Sequence, residues 1–244
     1  MTLRSLIAGI GGYLPERVLD NPALAEAHGL DTTDEWIVER TGIRRRHIAA
    51  PGETASAMGA AAARAALAHA GLPAEAVDLV VVATATPDSA FPATAVRIQG
   101  ALGIARGFAF DVSAACTGFI YALGIADSLI RTGQARCALV IGTEIYSRIL
   151  DWTDRGTCVL FGDGAGAVVL AATEAKDGRG ILSTHLHSDG RHGDILQVEG
   201  GAGSTGGAGL LRMAGKEVFR HAVSKLAAVV DEALAANGLG HADV

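Results

Sequence analysis

The chain has 244 residues, half of them hydrophobic, with 32 glycines, 5% aromatic residues and a formal net charge of −6. That composition allows a sizeable core of small aliphatic side chains, as in stacked helices and parallel strands, and the acidic balance argues against general nucleic-acid binding. Three cysteines without CxxC spacing, no signal-peptide pattern and no apolar run of membrane-spanning length point to a reducing cytoplasm, away from the bilayer.

In chain order, Leu6 to Pro15 reads as a short strand ending in a Gly-Gly turn. Asp31 to Gly42 is a predicted helix with a Thr/Asp start and a glycine stop, followed by the basic run Arg44, Arg45, Arg46 and His47. Thr54 to Leu72 is a small-residue helix ending at Gly71. Val77 to Thr86 is a continuous apolar, β-branched run, the mark of a strand covered on both faces. Pro87 and Pro92 bracket a loop, "TAVRIQGALG" makes a helix, and "GFAFDVS" is the next strand. A helix follows Cys116, and Arg136 to Ser147 supplies another strand. That alternation predicts parallel α/β packing. "CVLFGDGAGAVVLAATE" reads as two β-rich runs joined by a glycine turn from Gly162 to Gly166. Ile181 to Gly190 reads as a further strand, and the Gly-rich "EGGAGSTGGAG" as a loop into a last helix from about Lys216 to Asn237.

Two segments resemble each other: "ALAHAGLPAEAV" (Ala66 to Val77) and "ALAANGLGHADV" (Ala233 to Val244). Each is the end of an Ala-rich helix with a Gly-Leu stop. A strand, "DLVVVAT", follows the first copy. A duplicated α/β unit interrupted before its strand would leave core surface uncovered, so the second unit is expected to be incomplete here, although chance similarity of two helix ends remains open on composition alone.

Cys116 lies where an apolar strand, "FAFDV", turns through "SAACTG" into a long apolar helix. A helix N-terminus stabilises a thiolate through its free N–H groups and the positive end of its dipole, and the same N–H groups suit a thioester oxyanion. The competing reading is a buried, inert thiol, which is the expectation for Cys137 and Cys158 inside apolar strand runs. His185 and His187, at strand spacing in "HLHSDGRH", invite a metal reading, and "GDGAGA" suggests a phosphate loop but lacks the Lys-Ser/Thr of one.

Four segments in order, "DTTDEWIVERTGIRRRHIA", "DVSAACTGFIYAL", "DRGTCVLFGDGAGAVVL" and "MAGKEVF", make the chain similar to the β-ketoacyl-acyl-carrier-protein synthase III family of the thiolase superfamily, from about Leu6 to Val244. The resemblance implies a thiolase-like αβαβα layered fold with duplicated halves: residues 1–178 carry the nucleophile, and residues 179–244 begin a second half, incomplete in this chain. It implies the initiating step of type II fatty-acid synthesis. Cys116 takes an acetyl or other acyl group from acyl-CoA, and decarboxylative condensation with malonyl-acyl-carrier protein follows. No cofactor is implied, since the CoA thioester is a substrate. The resemblance assigns CoA contacts to Thr32, Trp36, Arg40, Arg155, Gly156, Phe161, Met213, Gly215 and Phe219. It gives Phe91 an acyl-pocket role across a homodimer, and Arg40 and Arg220 a carrier-protein surface to which Arg44 to Arg46 add. Taken singly, these residues read as ordinary packing or surface charge; their joint occurrence in family order favours the assignment. The segment containing His185 and His187 resembles a non-metal strand of the family. The family's histidine and asparagine for the condensation step match none of the eight histidines here, so the 1–244 chain is expected to be inactive alone. The alternatives are a non-catalytic CoA- or carrier-binding or dimerisation scaffold, or a polyketide-priming relative.

Overall fold

A computed structural model describes residues 3–174 and 178–244. Among the described residues the strands are β1 (Arg4–Tyr13), β2 (Arg17–Asp20), β3 (Arg45–Ile48), β4 (Leu79–Ala83), β5 (Phe108–Val112), β6 (Cys137–Ile145), β7 (Asp163–Thr173), β8 (Leu196–Gly201) and β9 (Gly207–Met213). The helices are α1 (Asn21–His28), α2 (Asp34–Thr41), α3 (Ala55–Ala70), α4 (Thr94–Ala101), α5 (Gly118–Arg131), α6 (Arg155–Cys158) and α7 (Gly215–Ala236). Contacts divide the chain into two compact units, each built from separated stretches. The first is Met1–Glu16, Ala49–Ile145 and Asp163–Thr184; the second is Arg17–Ile48, Tyr146–Gly162 and His185–Val244. Compactness is a different criterion from duplication, which is what the halves 1–178 and 179–244 concern.

The first unit is a three-layer α/β/α body around a five-stranded sheet of order β1-β7-β6-β4-β5. β4, β5 and β6 are parallel, as the strand–helix alternation requires, whereas β7 runs antiparallel to both β6 and β1. β4 is buried at every residue, and its side chains alternate between faces. Val80 and Val82 join Ala62, Ala63, Ala66 and Ile98 from α3 and α4, while Leu79, Val81 and Ala83 join Ala122, Ala126 and Ile130 from α5. α3 has both signals read from the sequence: the Thr54 hydroxyl accepts the Ala57 N–H at 3.1 Å, and Gly71 closes the helix in the left-handed region.

In the second unit, β2 pairs with β3 and β8 with β9, both antiparallel. Leu19, Leu24, Ile37, Ile48, Cys158 and Val159 form its core, with Trp36 and Trp152 packed against them. α2 starts at Thr33, whose hydroxyl accepts the Trp36 N–H at 3.1 Å, and stops at Gly42. That fixes Trp36 in the first turn and Arg40 one turn later.

Several expectations are corrected. Gly11-Gly12 is no turn: β1 runs straight through it to Tyr13. Gly162 to Gly166 joins no hairpin, because Asp163 onward is already β7 and Cys158 ends the short helix α6. The Gly-rich stretch forms much of the β8–β9 hairpin. Ile181 to Gly190 is not a strand: it has no strand residue in the described structure. Its start is held by the Ile181 N–H to Ser5 O at 2.8 Å and by Arg131 on the Ile181 carbonyl at 2.6 Å. The basic run becomes β3, with Arg46 turned inward and 5% exposed. Its guanidinium bonds Leu19 O, Asn21 Oδ1 and Val159 O at 3.1, 2.7 and 3.3 Å, which removes it from any carrier-protein surface. No helix among the described residues is long and apolar enough to cross a membrane.

The two similar segments share their geometry. In both, the helix ends at a left-handed glycine, Gly71 at φ 64° and Gly238 at φ 66°, and a single 3-10 turn follows, Ala74–Ala76 and His241–Asp243. Their surroundings differ: Val77 is fully buried, while Val244 is 96% exposed.

Candidate active site

Cys116 sits in a 3-10 turn, Ala115–Thr117, between β5 and α5. The strand delivers the chain to the C-terminal edge of the parallel strands, where α/β sites gather. Two features hold the turn. Ala115 takes φ +46°, a left-handed conformation that alanine adopts at a cost of about 1 kcal/mol. Gly118 starts α5 so close to β4 that a Cβ there would lie 3.2 Å from the Ala83 Cβ. Strain of this kind persists where the surroundings over-determine it, which is common at functional turns. Cys116 is exposed, and neither the turn nor α5 has a side-chain cap at its start, which leaves the opening N–H groups clear of side-chain acceptors.

The other thiols are built differently. Cys137 and Cys158 are buried, and burial pushes each up to about 11. Both match the inert reading.

Phe91, in the same compact unit as Cys116, is 85% exposed at a loop tip next to Pro92. Asp111 prepares that loop: its two oxygens accept the Thr94 and Ala95 N–H groups at 2.7 and 2.8 Å, capping α4 from five residues before Cys116. Sequence reading missed this capping role, because an aspartate inside a strand gives no local sign of the helix it serves.

The ten remaining residues all fall in the second unit. The Arg155 and Arg40 guanidinium carbons lie 4.6 and 4.5 Å from the Trp36 ring centroid. Arg155 also donates to Asp31 O, and Arg40 to Trp36 O at 3.3 Å. Asp154 is the unforeseen support: it caps α6, taking the Gly156 N–H at 2.9 Å and the Thr157 hydroxyl at 2.5 Å, and so fixes where Arg155 emerges. A lone aspartate before a four-residue helix is too short a signal to read. The Thr32 hydroxyl is buried with no hydrogen-bond partner among the described residues, an arrangement that calls for one. Phe161 stacks on Tyr146 with ring centroids 5.0 Å apart. Met213 ends β9 and Gly215 opens α7; Phe219, 72% exposed, and Arg220 follow in the first turns of that helix.

His185 and His187 both face one carboxylate, with Glu232 oxygens 2.9 and 2.7 Å from their ring nitrogens. The two imidazoles hold Glu232 below its ordinary carboxylate pKa. Among the described residues no set of three or more His, Cys, Asp or Glu is arranged to hold a metal ion.

A family model described as 3-oxoacyl-(acyl-carrier-protein) synthase III matches residues 110–190, the stretch that contains the Cys116 turn. A protein of Rhodospirillum centenum named β-ketoacyl-(acyl-carrier-protein) synthase III is 66% identical over 246 aligned positions, covering 100% of this chain and 76% of that protein. Among solved structures, 3-oxoacyl-(acyl carrier protein) synthase III from Pseudomonas aeruginosa is 45% identical with a TM-score of 0.91, over 99% of this chain and 73% of that one. The counterpart from Aquifex aeolicus is 46% identical with a TM-score of 0.89, over 96% and 72% of the two chains.

Proposed function

Because the chain belongs to the β-ketoacyl-acyl-carrier-protein synthase III family of condensing acyltransferases, we propose that Cys116 is the residue that accepts the starter acyl group from acyl-CoA. The observation that carries this is the exposed thiol on a strained turn at an uncapped helix start, in contrast to the two thiols that burial silences. The Cys116 sulfur, as thiolate, adds to the thioester carbonyl. The oxygen takes the negative charge while N–H groups at the start of α5 stabilise it, and the tetrahedral adduct collapses with loss of CoA thiolate, which takes up a proton. The acyl-enzyme is again a thioester, so little energy is lost before the next step.

The CoA adenine is read by Trp36 and Arg155, a planar ring and a planar cation suited to stacking. Thr32 offers its unpartnered hydroxyl, and Arg40 a cation for phosphate. Gly156, Phe161, Met213, Gly215 and Phe219 line the path of the pantetheine arm, with CoA as substrate and no resident cofactor. In the second half-reaction, malonyl-acyl-carrier protein loses CO2, and the carbanion attacks the Cys116 thioester and expels the thiolate to give 3-oxoacyl-acyl-carrier protein. Arg220 and Arg40 face that acidic carrier. Phe91 floors the acyl pocket of a second copy in a homodimer, and the protein works in the cytoplasm. The shared helix–glycine–turn geometry supports a duplication of halves 1–178 and 179–244.

One experiment tests both half-reactions. Treating the 244-residue polypeptide with acetyl-CoA should add a single acetyl group, mapped by mass spectrometry to Cys116. Adding malonyl-acyl-carrier protein should yield no acetoacetyl product, since no histidine here matches the one the family uses for condensation. Acetylation at Cys137 or Cys158 would refute the nucleophile, an unacetylated Cys116 would favour a non-catalytic scaffold, and product formation would refute the expected inactivity of this polypeptide in the second step.

A further inference from the structure

Glu144 is a partly buried carboxylate that the chemistry above does not use. It is the penultimate residue of β6, at the edge where the neighbouring parallel strand β4 also ends. Its two oxygens accept the Ala85 N–H at 2.7 Å and the Thr86 hydroxyl at 2.5 Å. The Thr86 oxygen in turn accepts the Ile145 N–H at 2.8 Å, so β6 grips the first residues of the β4–α4 loop twice. The far end is held too: Asp88 accepts the Ser56 N–H at 3.0 Å, and Asp111 caps α4. Between these anchors Phe91 stands exposed. Burial outweighs the hydrogen bonds at Glu144 and raises its pKa.

We infer that Glu144 is a positioning residue for starter selection: by fixing residues 85 and 86 it sets how far Phe91 projects, and so which acyl chain is accepted. A short loop tied at both ends has a fixed reach, and releasing one tie gives its tip new conformations. The inference rests on the reading of Phe91 as an acyl-pocket wall.

The test is competition between acetyl-CoA and a six-carbon acyl-CoA for Cys116, read as the ratio of the two acyl-enzyme masses. Glu144→Ala should shift that ratio by roughly fivefold or more while Cys116 remains acylated. Thr86→Val, which keeps the shape and loses the hydroxyl, should shift it in the same direction and carries the test if Glu144→Ala does not fold. Glu144→Gln should restore the wild-type ratio, since its amide can accept from Ala85 and donate to the Thr86 oxygen. An unchanged ratio in both Glu144→Ala and Thr86→Val overturns the inference. Phe91→Ala separates the two levels: if it leaves the ratio unchanged, the pocket reading falls and takes the route through Phe91 with it. If Phe91→Ala shifts the ratio and the Glu144 and Thr86 variants do not, only the positioning role falls.

Discussion

Cys116 and the other two thiols differ in what surrounds the sulfur, and this has a pH signature. Cys137 and Cys158 are pushed up to about 11 by burial, so near pH 8 their thiolate fraction is roughly one in a thousand, behind a packed core. Iodoacetamide at that pH should label Cys116 alone in the folded protein, with all three labelled after denaturation; folded-state labelling of Cys137 or Cys158 would count against the packing described. The linkage has a definite sign. Both folded values lie above the ordinary thiol value of 9.0, so the contribution of these thiols to stability is complete below pH 9 and is lost as pH rises toward 11. At this scale the turn that holds Cys116 was legible because strand, polar turn and apolar helix are contiguous in sequence. Arg46 was not. A basic run ordinarily marks a solvated surface, and the groups that turn Arg46 inward include the Val159 carbonyl, 113 residues away.

Glycine caused three of the misreadings at the scale of elements. The Gly11-Gly12 pair, the Gly162 to Gly166 stretch and the Gly-rich segment before α7 all read as turns, since glycine in isolation is a sign of chain reversal. In the fold many of these glycines lie within strands. β1 shows the reason: a Cβ on Gly11 would sit 2.3 Å from Ala66 N and 2.4 Å from Ala62 O, so the strand needs glycine to lie against α3. Gly11→Ala should therefore destabilise the protein by roughly 1–3 kcal/mol or more, because the obstructing atoms are helix backbone and cannot rotate away. Gly166→Ala is the matched control in β7, where no atom lies within 4 Å of the added methyl, and it should fold at least as stably as the parent. Urea denaturation of the pair decides it; equal midpoints would show that the approach of α3 to β1 is looser than described. Among the elements read correctly, α2, α3 and β4 carry their own signals: a Thr cap, a glycine stop, an uninterrupted apolar run.

Across the whole molecule the division into compact units was hidden from sequence reading, because each unit gathers three separated stretches and no linker composition marks the crossings. The candidate residues nevertheless sort cleanly: Cys116 and Phe91 belong to one unit, and the Trp36 and Arg155 pair with the other CoA candidates to the other. Binding can therefore be tested separately from thiol chemistry. Trp36→Ala should raise the acetyl-CoA concentration for half-maximal Cys116 acylation by roughly tenfold, the loss expected from one stacking and cation–π contact. Arg155→Ala, at an exposed position, should do the same without disturbing the Trp36 side of the core. Neither change should alter the rate at which iodoacetamide alkylates Cys116, nor acylation by an acetyl-pantetheine thioester, which has no adenine to be read. A slowed alkylation would mean that Trp36 supports the turn and not the nucleotide. An equal loss with the pantetheine thioester would place its contact on the arm. Only a defect confined to the adenine-bearing substrate is consistent with the stack of Trp36 and Arg155 as the nucleotide's binding surface.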